Sequence, residues 1–259
     1  MKRTHYLFIV LIFLNIGHII AQDLEEIRPF RIGTAFGCSF AGYRDETNSP
    51  INKYLNAPTF IVDGNIEKGD FLYSINFGLF GGKNKPKELE TDEEFYVYYE
   101  RESTFFRMYL ENALDYRLWG ADDFPGYLGG ALRADIYFVY MPQTIYYNIT
   151  GVVSLNIHAT QKWIINKDNN IVFSASLPIL GYIVRPPYYG LYYSPLDLDR
   201  KVVSLHNYQA IFGNVKYHYE MSDLLSLYAG LGLELSHIKF PQPRRDASMR
   251  LSTGIVFTF

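Results

Sequence analysis

From Thr104 to Trp119 every charged residue falls at one parity. Arg107, Glu111, Asp115 and Arg117 share one side of an extended chain, and Phe106, Met108, Leu110, Leu114, Tyr116 and Leu118 share the other. Adjacent residues of a strand point to opposite faces, so this spacing fits a strand with one apolar and one ionised face. The pattern recurs. In Phe30 to Tyr43, Phe30, Ile32, Thr34, Phe36, Cys38 and Phe40 oppose Arg31, Gly33, Ala35, Gly37, Ser39 and Ala41. Phe71, Tyr73, Ile75, Phe77 and Leu79 oppose Leu72, Ser74, Asn76, Gly78 and Phe80. Leu132, Ala134, Ile136, Phe138 and Tyr140 oppose Arg133 and Asp135, and Val153, Leu155, Ile157 and Ala159 oppose Ser154, Asn156, His158 and Thr160. Phe173 to Ile179, Ile211 to Tyr219 (with Lys216, His218 and Glu220 on the polar side) and Leu225 to Leu235 (with Tyr228 and Glu234) continue it.

Two all-β architectures alternate in this way. A soluble β-sandwich does so because one face of each sheet is buried. A transmembrane antiparallel up-and-down β-barrel does so over segments of about ten residues, with apolar residues meeting lipid and polar ones meeting the lumen. The apolar parities here carry Phe, Leu and Tyr with almost no charge, as the barrel requires. Aromatics are 17% of residues, with 23 Tyr and 19 Phe; they suit barrel girdles as well as packed sheets. About ten strands fit: Phe30 to Tyr43, Ala57 to Ile66, Gly69 to Gly81, Thr104 to Trp119, Tyr127 to Met141, Asn148 to Ile164, Asn170 to Val184, Val203 to Glu220, Leu224 to Ile238 and Ser248 to Phe259. Ala57 to Ile66, where Phe60 and Val62 face out and Asp63 in, is the weakest member. A separate strand over Phe95 to Glu100 would make twelve possible. Long outer loops are expected over Arg44 to Asn56, Lys83 to Ser103 and Arg185 to Val202, and tight turns at Glu67-Lys68, Ile165 to Asn169 and Met221 to Asp223.

The last segment alternates to its final residue. Phe259, Phe257, Ile255, Thr253, Leu251 and Met249 lie on one face, with Thr258, Val256, Gly254, Ser252 and Arg250 on the other. This ending resembles the C-terminal signature of Gram-negative outer-membrane β-barrel proteins. The resemblance implies a closing strand whose Phe257 and Phe259 are read by the barrel assembly machinery, and an address in the outer membrane. The resemblance is to a class, not to a family with a fixed activity. At the other end, Lys2, Arg3 and His5 precede an apolar run from Tyr6 to Ile20 and then Ala21-Gln22-Asp23, the order of a secretory signal peptide. Residues 1–21 are expected to be cleaved and 22–259 to form the barrel domain. No apolar run of about 18 residues follows Ala21, so no helical membrane span is expected.

About eight strands leave an interior that side chains just fill, so ten imply a narrow lumen. The charges at inward parity have both signs: Arg31, Arg107, Arg117, Arg133, Lys216 and Arg250 against Glu111, Asp115, Asp135, Glu220 and Glu234. An isolated buried charge is costly, so they are expected either to pair into a network or to line a polar path for a small solute.

Catalytic patterns are thin. Asp197, Asp199 and His206 fall in or beside one predicted outer loop but lack the close Asp-x-His pair of omptin-like proteases. Ser204-Leu205-His206 and Ser236-His237 put Ser near His without the His-x-Ser order of barrel lipases. His158 and His218, at inward parity on different strands, are expected as luminal histidines rather than ligands. One cysteine permits no internal disulfide, and six His without ligand spacing give no metal site; no cofactor is expected. A formal charge of −3 with scattered cations gives no basis for nucleic-acid binding. The Pro- and Tyr-rich stretch Arg185-Pro186-Pro187-Tyr188-Tyr189-Gly190-Leu191-Tyr192-Tyr193 has the composition of a binding surface, with Arg185, Tyr188, Tyr189, Tyr192 and Tyr193 as contacts. The expected function is therefore a membrane barrel acting through its outer loops as a binding or structural component. Its expected partners are outer-membrane lipid, the assembly machinery and an envelope protein. A narrow channel and a barrel-embedded lipid or peptide hydrolase are the alternatives.

Overall fold

A computed structural model describes residues 30–45, 49–86, 103–141, 146–185 and 198–259 apart from 241. These residues form eleven antiparallel strands: β1 (Arg31–Asp45), β2 (Ser49–Lys68), β3 (Phe71–Pro86), β4 (Ser103–Trp119), β5 (Gly126–Met141), β6 (Tyr146–Asn166), β7 (Asn169–Arg185), β8 (Asp199–Ser204), β9 (Tyr208–Ser222), β10 (Leu225–Ile238) and β11 (Arg244–Thr258). Neighbours in sequence pair in order, and the ring closes where β1 pairs β11, from Arg31 opposite Thr258 to Asp45 opposite Arg244. Phe30 and Phe259 complete the seam by exchanging backbone hydrogen bonds of 3.1 and 2.9 Å. A single closed sheet of this kind is a barrel; a sandwich would need two.

β8 and β9 are the interrupted form of the predicted strand Val203 to Glu220. The outer half of β7 pairs β8 (Leu180 opposite Ser204) and its inner half pairs β9 (Ser176 opposite Phe212). Between them the chain turns at Leu205-His206-Asn207, held by the Asn207 amide donating to the Ser204 carbonyl at 2.9 Å. The wall is thus ten strands around, with β8 as an extra piece above β9. β7 answers this with a bulge, opposite the Leu155/Asn156 irregularity of β6, so that Ile179 and Leu180 both face outward and the alternation changes phase.

The weakest predicted strand, Ala57 to Ile66, is the interior of the 20-residue β2. Most of the expected loop from Arg44 to Asn56 is strand, because β1 and β2 go on pairing as far as Asp45 opposite Ser49. The turn after β2 lies at Gly69-Asp70 rather than Glu67-Lys68. Gly69 takes φ 57, a left-handed value that a residue without Cβ adopts at little cost. The turn after β9 is likewise displaced, to Asp223-Leu224. β3 and β4 pair directly from Phe71 opposite Tyr116 to Asn84 opposite Ser103, which leaves no place between them for a twelfth wall strand. Phe95 to Glu100 and the predicted signal segment 1–21 lie outside the described residues.

The outward parities carry Phe36, Phe71, Leu110, Leu114, Leu155, Ile157, Phe173, Leu177, Leu227, Leu233, Leu251 and Phe257, all exposed. Inside, three layers follow one another. Toward the ends away from the termini lies an apolar layer of Tyr43, Leu55, Phe105, Val139, Val152, Ile183, Val203 and Ile238. Midway lies a layer of charges and rings, and toward the terminal end a polar cavity.

Candidate functional site

The middle layer joins residues from opposite walls. Arg107 on β4 and Arg133 on β5 reach Asp135 on β5 at 2.6 and 2.8 Å, and Arg107 reaches Glu234 on β10, across the lumen, at 2.5 Å. Arg133 and Arg250 approach the same Glu234 at 3.4 Å, and Arg133 meets Glu111 at 3.6 Å. Three guanidiniums therefore face three carboxylates. Rings cover the flat faces of these cations. Arg107 lies 4.7 Å from the Tyr137 ring centre, Arg133 3.8 Å from Phe212 and 4.4 Å from Tyr109, and Arg250 5.0 Å from Tyr109. Tyr109 can lie there because β3 offers Gly78 opposite it: a Cβ at that position would come within 2.4 Å of the ring.

The side chains of Arg107, Arg133, Asp135 and Glu234 are at most 6% exposed. With the apolar layer above, they narrow the bore at this height, where a void of about 30 Å³ lies beside Tyr109, Arg133, Phe212, Glu234 and Arg250. Ions in such surroundings persist when paired: Asp135 accepts hydrogen bonds from both Arg107 and Arg133, and Glu234 accepts one from Arg133, while Glu234 Oε2 and Glu111 Oε2 are held by ion pairing without a hydrogen bond.

Toward the terminal end the bore widens into a cavity of about 670 Å³. Its ion pairs are Arg31 with Glu220 at 3.1 Å, Lys162 with Glu67 at 2.6 Å, and Lys216 with Asp63. His158 Nδ1 stands 2.7 Å from Asp115 Oδ2, and the Thr160 hydroxyl donates to the same oxygen at 3.1 Å. The His218 ring lies 5.5 Å from that of Tyr228. The cavity reaches the turn residues Asp122, Pro125 and Lys167, so its mouth is at the terminal end.

All eleven residues expected at inward parity are on the inside. Arg107, Glu111, Arg133, Asp135, Glu234 and Arg250 assemble in the middle layer. Arg31, Lys216 and Glu220 line the cavity together with Glu111 at its floor, Asp115 is buried behind the cavity residues His158 and Thr160, and Arg117 sits at the rim with Asp122 at 3.0 Å. Arg185, expected on an exposed loop surface, is instead fully buried and donates to the carbonyls of Phe240 and Gln242 at 3.1 and 2.7 Å. It ties down the link between β10 and β11. Tyr188, Tyr189, Tyr192, Tyr193 and Asp197 lie outside the described residues. Ser204 and His206 are exposed beside the turn after β8, which breaks the strand parity that would have set them on one face. Ser236 donates to Asp246 at 3.2 Å, not to a His. No group of three metal-binding side chains occurs among the described residues.

Sequence patterning missed Arg244 and Asp246, joined at 2.8 Å above the middle layer, because the last strand was expected to begin at Ser248. It also missed Lys162 and Glu67, one read as wall and the other as turn. The inward rings Tyr109, Tyr137 and Phe212 were legible only as aromatic residues at the parity of the charges.

No protein-family model matches the chain, and no curated protein does. Among solved structures it is similar to the outer membrane protease OmpT from Escherichia coli, with a TM-score of 0.55 and 8% identity over 92% of this chain and 99% of that one. It is also similar to the translocator domain of the autotransporter NalP from Neisseria meningitidis (TM-score 0.44, 10% identity, 99% and 98% covered). A third is Neisserial surface protein A (TM-score 0.40, 10% identity, 91% and 100% covered). At these identities the likeness is one of fold, and the fold is that of the outer-membrane β-barrel proteins, closed between first and last strands.

Proposed function

We propose that this chain is an integral outer-membrane protein with a sealed lumen, working as a binding or structural component through the loops at the end away from its termini. The observation that carries this reading is the constricted bore: a neutral set of three cations and three anions, capped by rings, beneath an apolar layer. A solute crossing the wall this way would have to disrupt both, so the lumen offers no route and function moves to the rim. Short turns lie at the terminal end, including Gly69-Asp70, Lys167-Asp168 and Asp223-Leu224, as on the periplasmic side of such barrels. The exposed rings of Phe71, Tyr116, Trp119, Trp163, Tyr217, Tyr219 and Phe259 gather toward that end as an aromatic girdle would. β7 ends and β8 begins toward the outer rim, on either side of the sequence segment that carries Tyr188, Tyr189, Tyr192 and Tyr193. Lipid surrounds the wall, and Phe257 and Phe259 serve the assembly machinery.

Reconstitution of the refolded chain in a planar bilayer tests the reading. Silence is expected. Steady unitary conductance that changes in Arg107→Gln or Arg133→Gln would overturn it in favour of a narrow channel. A short epitope placed after Tyr189 should be reached by antibody on intact cells, and lack of access would remove the outer loop from the proposed surface.

A further inference from the structure

The polar cavity at the terminal end lies below the charged layer, and its floor holds groups that the protein itself leaves without partners. Five residues from five strands line both this cavity and the adjoining void of about 30 Å³: Asn76 on β3, Glu111 on β4, His158 on β6, Ser174 on β7 and Asn214 on β9. Asn76 stands opposite Glu111, and Ser174 opposite Asn214. The Asn76 carbonyl oxygen accepts from the Tyr109 hydroxyl at 3.0 Å, which leaves its amino group to the cavity. Glu111 meets Arg133 only at 3.6 Å and accepts no hydrogen bond among the described residues. His158 is 5% exposed; Nδ1 is engaged by Asp115 at 2.7 Å, while Nε2 has no hydrogen-bond partner among the described residues. The side chains of Ser174 and Asn214 have none there either. Polar groups so enclosed are satisfied by water or by a ligand.

The chemistry of that ligand follows from what is spent and what is open. The charges of the lining are already matched: Arg31 faces Glu220, Lys216 faces Asp63 and Lys162 faces Glu67. A charged ligand would have to break one of these pairs to gain a counter-ion, whereas a neutral one leaves them intact. The open groups mix donors (the amino groups of Asn76 and Asn214) with acceptors (the Glu111 carboxylate and the Asn214 carbonyl), and the Ser174 hydroxyl is both. Hydroxyl groups answer such a set because each donates and accepts. The void beyond the floor has room for one hydroxyl or one water. Leu72 and Val172 supply apolar lining for the C–H faces of a ring, and a cavity of about 670 Å³ lies within the roughly 300–1,000 Å³ usual for small-molecule sites.

We propose that this cavity binds a neutral polyhydroxyl molecule, a sugar of one or two rings, entering from the side of the wall that holds the chain termini. The site is at the end opposite the proposed outer working surface and requires neither those loops nor a complete seal.

The test is calorimetric titration of the full chain, refolded in a zwitterionic detergent without sugar headgroups, with maltose, putrescine and citrate as separate probes. Saturable binding of maltose is expected, with no tighter binding of the dication or the trianion. Ser174→Ala and Asn214→Ala remove groups that bond to nothing else described in the protein, so both variants should fold. Each should weaken maltose about fivefold, and the pair about 30-fold, the effect of one and two hydrogen bonds. Asn170→Trp, which places a large ring in the lining near the mouth, should abolish binding, and Lys239→Gln at the opposite end should not change it. Folding of every variant is scored by gel shift. Absence of saturable maltose binding, or an affinity unchanged in both S174A/N214A and N170W, would overturn the proposal. So would tighter binding of putrescine or citrate, which would make the cavity a site for charged solutes. Insertion into lipid vesicles is scored separately by protease protection. A chain that inserts without binding maltose refutes the sugar site alone, and a chain that binds maltose without inserting refutes the membrane reading alone.

Discussion

Glu234 is the carboxylate on which the interior turns, and Glu234→Gln is the sharpest probe of it. The substitution keeps the shape of the side chain, so no cavity opens, and removes only the charge. Three guanidiniums, those of Arg107 at 2.5 Å and of Arg133 and Arg250 at 3.4 Å, would then share Asp135 and Glu111, leaving one positive charge unbalanced in a layer whose members are largely desolvated. Removing one partner of a buried ion pair costs about 3–5 kcal/mol, because the remaining charge keeps its desolvation penalty. With a urea slope of roughly 3 kcal/mol per M, the unfolding midpoint should fall by about 1–1.7 M. The assay is urea unfolding of the chain refolded in lipid vesicles, followed by tryptophan emission and by the gel shift between folded and unfolded forms. Glu67→Gln is the internal control. It pairs with Lys162 at 2.6 Å and accepts from the Tyr127 hydroxyl, a bond that the Gln carbonyl can still accept; the Glu67 and Lys162 side chains are 26% and 19% exposed, so the loss should stay within about 1 kcal/mol. The double variant Glu234→Gln/Arg250→Gln removes the surplus cation as well and should recover part of the loss, a coupling of roughly 1–3 kcal/mol. If Glu234→Gln costs no more than Glu67→Gln, the middle layer is hydrated and the sealed lumen is wrong.

Three other outcomes follow from the same structure. Gly78→Ala places a methyl within 2.4 Å of the Tyr109 ring and should destabilise the barrel by about 1–3 kcal/mol in the same unfolding assay, by displacing the ring from Arg133 and Arg250. Deleting Phe259 removes both backbone hydrogen bonds to Phe30, of 3.1 and 2.9 Å; a loss of about 1–3 kcal/mol is expected, with a lower yield of folded protein in membrane fractions. Leu110→Arg puts a charge on the outward face of β4 and should cost about 2–4 kcal/mol in vesicles if that face meets hydrocarbon; a near-neutral effect would mean that it meets water.

Inside and outside were legible because the period of a strand is two. Once Phe106 and Arg107 are known to alternate, every residue to Leu118 has its side, and the exposed and buried residues of β4 follow suit until a bulge between Arg117 and Trp119 turns Trp119 outward. The same rule failed where the chain leaves that period. The bulge at Ile179 and Leu180 and the turn at Leu205 to Asn207 each insert residues that offset β7 and its neighbours, and local alternation carries no trace of a partner strand's register. Strand ends were misjudged for a related reason. Beyond the lipid band a strand no longer needs an apolar outer face, so Lys53 to Asn56 and Arg244 to Ala247 look like loop while their backbones still pair.

Height within the bore was not legible at all, and the difference between a channel and a seal depends on it. Parity says that Arg133 and Glu234 both point inward. It does not say that β5 and β10 hold them at the same level on opposite walls, 3.4 Å apart. That level is set by the sum of every register step around the ring, including the displaced turns at Gly69 and Asp223, and an error of two residues at one turn would separate the pair by about 7 Å. The six charges of the middle layer, spread over different heights, would line a wet passage; gathered as three and three beneath Tyr43, Phe105 and Val139, they support the proposed seal. On the proposed reading, seal or channel depends on the pairing offsets between the strands, and a variant that shifts one register without changing any inward residue, such as a two-residue insertion in the turn after β9, should raise planar-bilayer conductance as removing Glu234 does.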